Sequence, residues 1–425
     1  MRSLSRRALV SLLGVSCLAR NRPALSKSDD AFLEDLSRRC FLYFWEQSDS
    51  KNGLVLDRAR ADGSDVIGRS LEVASTALTG FYLTSLCIAS ERGWEKPDVI
   101  RTRVRQTLLH FANDQEHVRG WYYHFVDRKT GSRVWKSELS TIDTALLLAG
   151  VITAQQYFLS DADIYHLAQT VYGRTDFPWL LDERTNLLQM GWTPETGPLR
   201  AEWKSYDEES ILYLLAIASP TNPIPVHCWY AFARDPIELC GYRFVGRGPI
   251  FTHQYSQAWL DLRNVVDGPP YEIHYFQNSA VATYALRCWC STMRGIYPSF
   301  SEYLWGVSPS DSDVGYVSWG DPLSRRDMDG TVVPCAAGGS LMFTPEICLP
   351  ALRYMHSEFG DRIFGHYGFV DSFHPLTGWA NPEVVGINTG ITLLSAENLR
   401  SGFTWRFFDR SADIRRGMRQ IFRQC

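Results

Sequence analysis

The sequence predicts an all-α fold of the (α/α)6 barrel class, a six-hairpin toroid with long irregular loops and short hairpins at its open end. Three observations predict it. Six very apolar helical runs begin near Ser75, Thr141, Glu208, Ser279, Pro345 and Thr389. More amphipathic helices are interspersed between them. Strand-like runs are few and short. A helix that is apolar on every side must be covered on every side, so six of them inside a ring of half-exposed helices describe a closed barrel. A helical solenoid is the alternative, but its inner helices would not be apolar all round. The 425 residues, 45% hydrophobic and 21% charged, can build one large core. A net charge of −4 offers no basic surface for nucleic acid. Aromatic residues reach 13%, and many sit in Gly- and Pro-rich loops, where their faces suit the C–H faces of sugar rings.

The elements follow in order. Arg2, Arg6 and Arg7 precede an apolar run over 8–19 that is too short to span a bilayer and reads as a signal segment. Ser5-Arg6-Arg7-Ala8-Leu9 is similar to a twin-arginine export signal. Gly14-Val15-Ser16-Cys17 resembles a lipobox, so a lipid anchor on Cys17 and plain cleavage are both open. Residues 1–30 are therefore expected to be signal and linker, residues 31–425 the barrel domain, and the protein exported to the periplasm or secreted. A monomer is expected. Phe32, Leu33, Leu36, Cys40, Phe41 and Phe44 keep helical spacing over 31–47. Apolar 75–92 ends at Gly93, and an amphipathic helix covers 97–113. Residues 120–131 read as a hairpin. The run 138–158 is apolar nearly all round, with Ser140 or Thr141 as cap and Asp143 in the first turn. Helices follow over 161–172, 211–218, 223–234, 250–263 and 280–293. Residues 303–329 and 371–379 are irregular loops. Thr344-Pro345-Glu346 opens the next helix, Asn388-Thr389 opens the last apolar one, which carries Glu397, and 413–423 is a polar helix. Cys87, Cys288 and Cys348 read as buried thiols, and no disulfide is predicted.

The stretch Trp203-Lys204-Ser205-Tyr206-Asp207-Glu208-Glu209-Ser210 organises the chain. Three carboxylates stand where an aromatic loop becomes a short apolar helix, with Ser205 and Asp207 as candidate caps. Such a place suits an acid that works on a sugar, and it equally suits helix-capping acids. In the predicted barrel the helix starts collect Asp143, Asp207, Glu208, Asn278 and Asn388 at one end. Two carboxyls flanking a glycosidic bond suffice for its hydrolysis. Glu208 is the best proton donor on offer. A helix start lowers a carboxyl pKa, whereas neighbouring acids and aromatic desolvation raise it. Asp327-Met-Asp329-Gly330 lacks the later ligands of a calcium loop and reads as a turn. No metal and no cofactor is predicted. His124, His253, His274 and His374 are scattered, each readable as a structural hydrogen-bonder.

Motifs spread along the chain carry a family resemblance. They are Cys40-Phe-Leu-Tyr-Phe-Trp45, Ala77-Leu-Thr-Gly80-Phe81, Glu91-Arg-Gly-Trp94, Ile142-Asp143-Thr-Ala145, Tyr206-Asp207-Glu208, His253-Gln-Tyr-Ser256, Asp329-Gly-Thr331, Ala336-Ala-Gly-Gly-Ser340, Pro345-Glu-Ile-Cys348, His366-Tyr-Gly-Phe369 and Glu397-Asn398. Together they resemble the glycoamylase-like family, which includes bacterial endo-β-1,2-glucanases of glycoside hydrolase family 144. The resemblance implies an (α/α)6 barrel, an inverting mechanism and a β-glucan substrate, β-1,2-glucan or its oligosaccharides first among them. It implies Glu208 as the catalytic acid, with Asp143 lining the same pocket. The family often reads Ile-Asp-Gln-Gly where this chain has Ile387-Asn388-Thr389-Gly390, and an amide cannot act as a base. The water-side carboxylate is then expected to be Asp371 or Asp143; a glycan-binding barrel without turnover is the alternative. Asp207, Trp121, Trp192, Trp203, His253, Gln254, Asn278, Trp319, Trp379, Asn388 and Glu397 are expected to bind the sugar.

Overall fold

A computed structural model describes residues 25–65, 72–246, 248–321 and 328–425. Most of the predicted targeting segment, residues 1–24, and Asp327 lie outside the described residues. The fold is mostly helical. Its helices are α1 (Lys27–Gln47), α2 (Thr76–Arg92), α3 (Pro97–Asn113), α4 (Thr141–Tyr157), α5 (Ala162–Gly173), α6 (Ser210–Ala218), α7 (Phe251–Trp259), α8 (Tyr275–Thr292), α9 (Pro334–Gly338), α10 (Pro345–Phe359), α11 (Gly386–Ser401), α12 (Phe403–Phe408) and α13 (Ala412–Ile421). Among the described residues every sheet has two or three strands. No described helix is long and apolar enough to cross a membrane. Helix α1 starts four residues earlier than its apolar spacing predicts, because the Ser26 side chain accepts the Asp29 N–H and caps it.

Helices α2, α4, α6, α7, α9 and α11 are buried on nearly every side. Helices α1, α3, α5, α8 and α10 bury one side only. Two of the six predicted inner helices are thus exchanged. The runs beginning near Ser279 and Pro345 belong to half-exposed α8 and α10. The buried partners are α7, whose sequence is half polar, and the five-residue α9, made of small residues. Neither carries the continuous apolar signal that marks α2 or α4. The buried helices touch in turn: α2 with α4, α4 with α6, α6 with α7, α9 with α11, and α11 with α2. Gln254 bridges α7 to α9 by donating to the Ala336 carbonyl and the Ser340 hydroxyl.

The α2–α4 crossing is the tightest. A Cβ on Gly150 would stand 2.1 Å from the Gly80 carbonyl oxygen, and one on Gly80 would stand 2.0 Å from that of Leu146. Only glycine at both positions lets the two backbones meet. Loops preceding the helices pair across the molecule. Residues 58–60 pair antiparallel with 383–385, and 73–75 with 125–127. These pairings bring distant loop side chains to the N-terminal ends of the buried helices.

Candidate active site

Glu208 lies two residues before α6. The expected caps do not form: α6 begins at Ser210 with no side-chain cap of its own, and Asp207 accepts the N–H of Glu208 instead. The cap comes from α7. The Ser256 hydroxyl accepts the Ile211 N–H at 2.9 Å and donates to the Glu208 carbonyl at 2.6 Å. Glu208 is therefore fixed by a tertiary contact, one residue type that sequence spacing along α6 cannot show. Burial drives its carboxyl well above the ordinary range, and the charges of Asp207, Asp143 and Glu209 add to that. Burial likewise pushes Asp207 to about 6 and Glu209 to about 8. Desolvation and like charge outweigh the helix start.

Asp143 sits in the first turn of α4, 7% exposed. The Ser140 hydroxyl accepts its N–H and donates to its Oδ2, a local box that locks the rotamer. His124 stands across from it. Its Nε2 is 3.6 Å from Asp143 Oδ1, and its Nδ1 is 2.9 Å from Glu138 Oε1. Burial lowers the His124 pKa, but the charges of Asp143, Glu138 and Asp57 overcome it, leaving the ring at about 9. His124 is thus an imidazolium between carboxylates, not the isolated structural histidine its sequence context suggested.

Asp371 is 3% exposed. It accepts the Asp311 N–H at 3.0 Å and the Asn388 amide at 2.7 Å. Burial lifts it to about 6 despite these donors. Beside it, Arg58 reaches Asp311 at 2.8 Å, Glu383 at 3.5 Å and Asp57 at 3.6 Å. Tyr255 on α7 is buried, which raises its phenol, and it lies within electrostatic reach of both Glu208 and Asp371. Glu208 thus lies within electrostatic reach of Asp143, and Tyr255 within reach of both Glu208 and Asp371; Asp57, Arg58, His124, Asp311 and Glu383, none of them an expected site residue, lie beside these acids. Those five come from loops and short hairpins, and the pairing that joins the Arg58 strand to the Glu383 strand, across more than 300 residues, left no local signal.

The family model for glycoamylase (putative glucoamylase) matches residues 200–412, just over half of the chain. The chain belongs to the glycoamylase family. Over 93% of its length this glycoamylase-family chain is 24% identical to the exo β-1,2-glucooligosaccharide sophorohydrolase (non-reducing end) of Parabacteroides distasonis, and it spans 58% of that relative's length. It superposes on a putative glucoamylase from Bacteroides caccae with TM-score 0.85 and 27% identity, covering 93% of this chain and 100% of the other. It also superposes on the endo-β-1,2-glucanase of Chitinophaga pinensis, solved with sophorotriose and glucose. That match has TM-score 0.84 and 24% identity, covering 94% and 99% of the two chains. It is thus related, at low identity, to β-1,2-glucan hydrolases.

Several residues expected to bind sugar do other work in this glycoamylase-family fold. Trp121 is fully buried, its indole donating to the Asp176 carbonyl at 3.0 Å. Trp203 and Trp319 are nearly so, donating to the hydroxyls of Thr141 and Ser310. Neither ring face of these three is open to a ligand. Trp192, packed on Trp179 at 5.6 Å, and Trp379 stay half-exposed. Gln254 is spent on the α7–α9 bridge. Asn278 clamps Val245, accepting its N–H at 2.7 Å and donating to its carbonyl at 2.8 Å. His253 is buried between Tyr206 and Phe244, and burial lowers it to about 3, so it is neutral. Glu397 lies nine residues past Asn388 on α11, about 13 Å down the axis. There it pairs with Arg92 and Arg400, away from the mouth. Asn388 does reach the site, through Asp371. Asp329 accepts the Thr331 N–H, the turn expected of it.

Proposed function

We propose that the chain is an exported glycoside hydrolase, residues 31–425 forming an (α/α)6 barrel that cleaves a β-glucan with inversion. The contacts among α2, α4, α6, α7, α9 and α11, with half-exposed helices outside them, support the barrel. The observation that carries the chemistry is Glu208: a carboxyl beside Asp143, Asp207 and Glu209, whose proton affinity burial and those neighbours raise, with Tyr255 within reach of both it and Asp371. Glu208 donates its proton to the glycosidic oxygen as the C1–O bond breaks. A water attacks C1 from the opposite face and gives its proton to Asp371 or Asp143, each held by donors that fix its orientation. Inversion requires about 6.5–9.5 Å between the two working carboxyls, leaving room for that water. The named activities of the Parabacteroides and Chitinophaga relatives favour β-1,2-glucan or its oligosaccharides.

The test is a screen of the purified protein against β-1,2-glucan, other β-glucans and α-glucans, with released reducing sugar and product anomer measured. No release from any of them by folded protein overturns the proposal. Asn388 favours one second reading, a glycan-binding barrel without turnover. On that reading calorimetric affinity for glucan survives Glu208→Gln, no hydrolysis occurs at any pH, and Asn388→Asp restores it.

A further inference from the structure

Two exposed aromatic rings flank the acids, and neither was among the tryptophans expected to bind sugar. Tyr316 is 65% exposed in the middle of the second strand of the hairpin made by Ser310–Ser312 and Gly315–Val317. It pairs directly with Asp311, and directly opposed residues of an antiparallel pair project to the same face. Asp311 uses that face to reach Arg58 and the Asn381 amide. The Tyr316 hydroxyl accordingly falls among the charges of Asp371, Asp311, Arg58 and Asp57, while most of the ring is open. The hairpin base is fixed by the site itself: the Asp311 N–H donates to Asp371, and Ser372 donates to the Asp311 carbonyl at 2.6 Å.

Trp135 is 67% exposed on the other flank. Its ring meets Phe125 edge-on at 5.5 Å, and Phe125 stacks on His124 at 3.8 Å, which in turn faces Asp143. Trp135 and Lys136 both hold φ near +54°, a left-handed conformation that costs non-glycine residues about 1 kcal/mol or more each. Arg133 holds the loop in that shape by donating to the carbonyls of Lys136 and Ser137 and pairing with Glu195. A strained loop held by three ties presents a mostly exposed indole at the end of a ring-to-ring chain that leads through Phe125 and His124 to Asp143.

We infer that Trp135 and Tyr316 are sugar-stacking platforms on opposite sides of the cleavage point, so that a bound oligosaccharide runs from the Asp143 flank across Glu208 to the Asp371 flank. This rests on the glycosidase reading and specifies its substrate path. The ligand class is a glucose oligomer long enough to touch both rings, its pyranose C–H faces lying on the aromatic faces. The test is calorimetry with β-1,2-gluco-oligosaccharides of two to five units, using Glu208→Gln protein so that nothing is turned over. In that background Trp135→Ala and Tyr316→Ala should each weaken binding of the pentamer by roughly three- to tenfold. The dimer should respond to only one of them. Tyr316→Phe, which keeps the ring, should bind like its parent. Unchanged affinity in both alanine variants, or equal loss in Tyr316→Phe and Tyr316→Ala, overturns the platforms and leaves the hydrolase reading intact. Failure of the Glu208→Gln parent to bind any oligosaccharide overturns the hydrolase reading instead.

Discussion

Helix α11 shows the same chemistry put to opposite uses at its two ends. Near its N-terminus, Asn388 holds Asp371 among carboxyls that outnumber their cations, and burial leaves that acid near 6. Near its C-terminus, Glu397 is equally buried but lies between the guanidinium groups of Arg92 and Arg400. A carboxylate with two cations on it is spent on holding helices together. A carboxyl crowded by other acids binds a proton more tightly than usual and is left free to exchange it. The pairing, more than the burial, separates the working end from the structural end.

The comparison can be broken most directly at Glu208. Replacing it with Gln should cut hydrolysis by about a thousandfold while oligosaccharide affinity persists; residual turnover within tenfold of the parent would show the acid to be elsewhere. Glu397→Ala should do the reverse. It removes the carboxylate that Arg92 and Arg400 share, leaving Arg400 with Asp30 and Glu34, and should cost about 3 kcal/mol of stability in denaturant melts, with kcat per folded molecule unchanged. A fall in kcat without a fall in stability would erase the contrast between the two ends.

Glu209 sharpens it through pH. Its folded pKa is raised from 4.5 to about 8, so its protonated form contributes stability that is complete below pH 4.5 and drains away as pH rises through 8. Glu209→Gln removes that loss. The melting-temperature advantage of the variant should widen steadily across that window, and an advantage independent of pH would contradict the assignment. For activity, Asp371 must be ionised to accept a proton, so kcat/KM should fall on the acid side with a limb near pH 6. If Asp143 is the base instead, that limb will be unmoved in Asp371→Asn. The smallest effect is expected of Trp203→Phe, which deletes one buried hydrogen bond to Thr141 and should cost about 1 kcal/mol in the same melts.

Much of the fold was legible because α2, α4 and α11 are long and apolar, and their burial follows from that alone. Helix α7 was legible as a helix over 250–263 but not as a buried one, and α9 was not legible at all. His253, Gln254, Ser256 and Gln257 make α7 look like surface, yet they are consumed by contacts to α6, α8 and α9 that only the assembled structure supplies. The site divides in the same way. Glu208 and Asp143 stand at helix starts, where spacing betrays them. Arg58 and Glu383 meet through pairing of strands more than 300 residues apart in the chain, and Asp311 joins them by a side-chain contact from a separate hairpin. Composition drew attention to the tryptophans but could not distinguish a buried indole such as Trp121 from an open one such as Trp135.

The glycine crossing of α2 and α4 bears on how such a molecule would choose its ligand. Two backbones in direct touch can neither close further nor slide past one another without collision, so the first turn of α4, which carries Asp143, keeps a fixed offset from α2. On the glycosidase reading, a wall fixed in this way would admit a chain that fits and turn away a branched or bulkier one. Selection would then work by calibre, like a die.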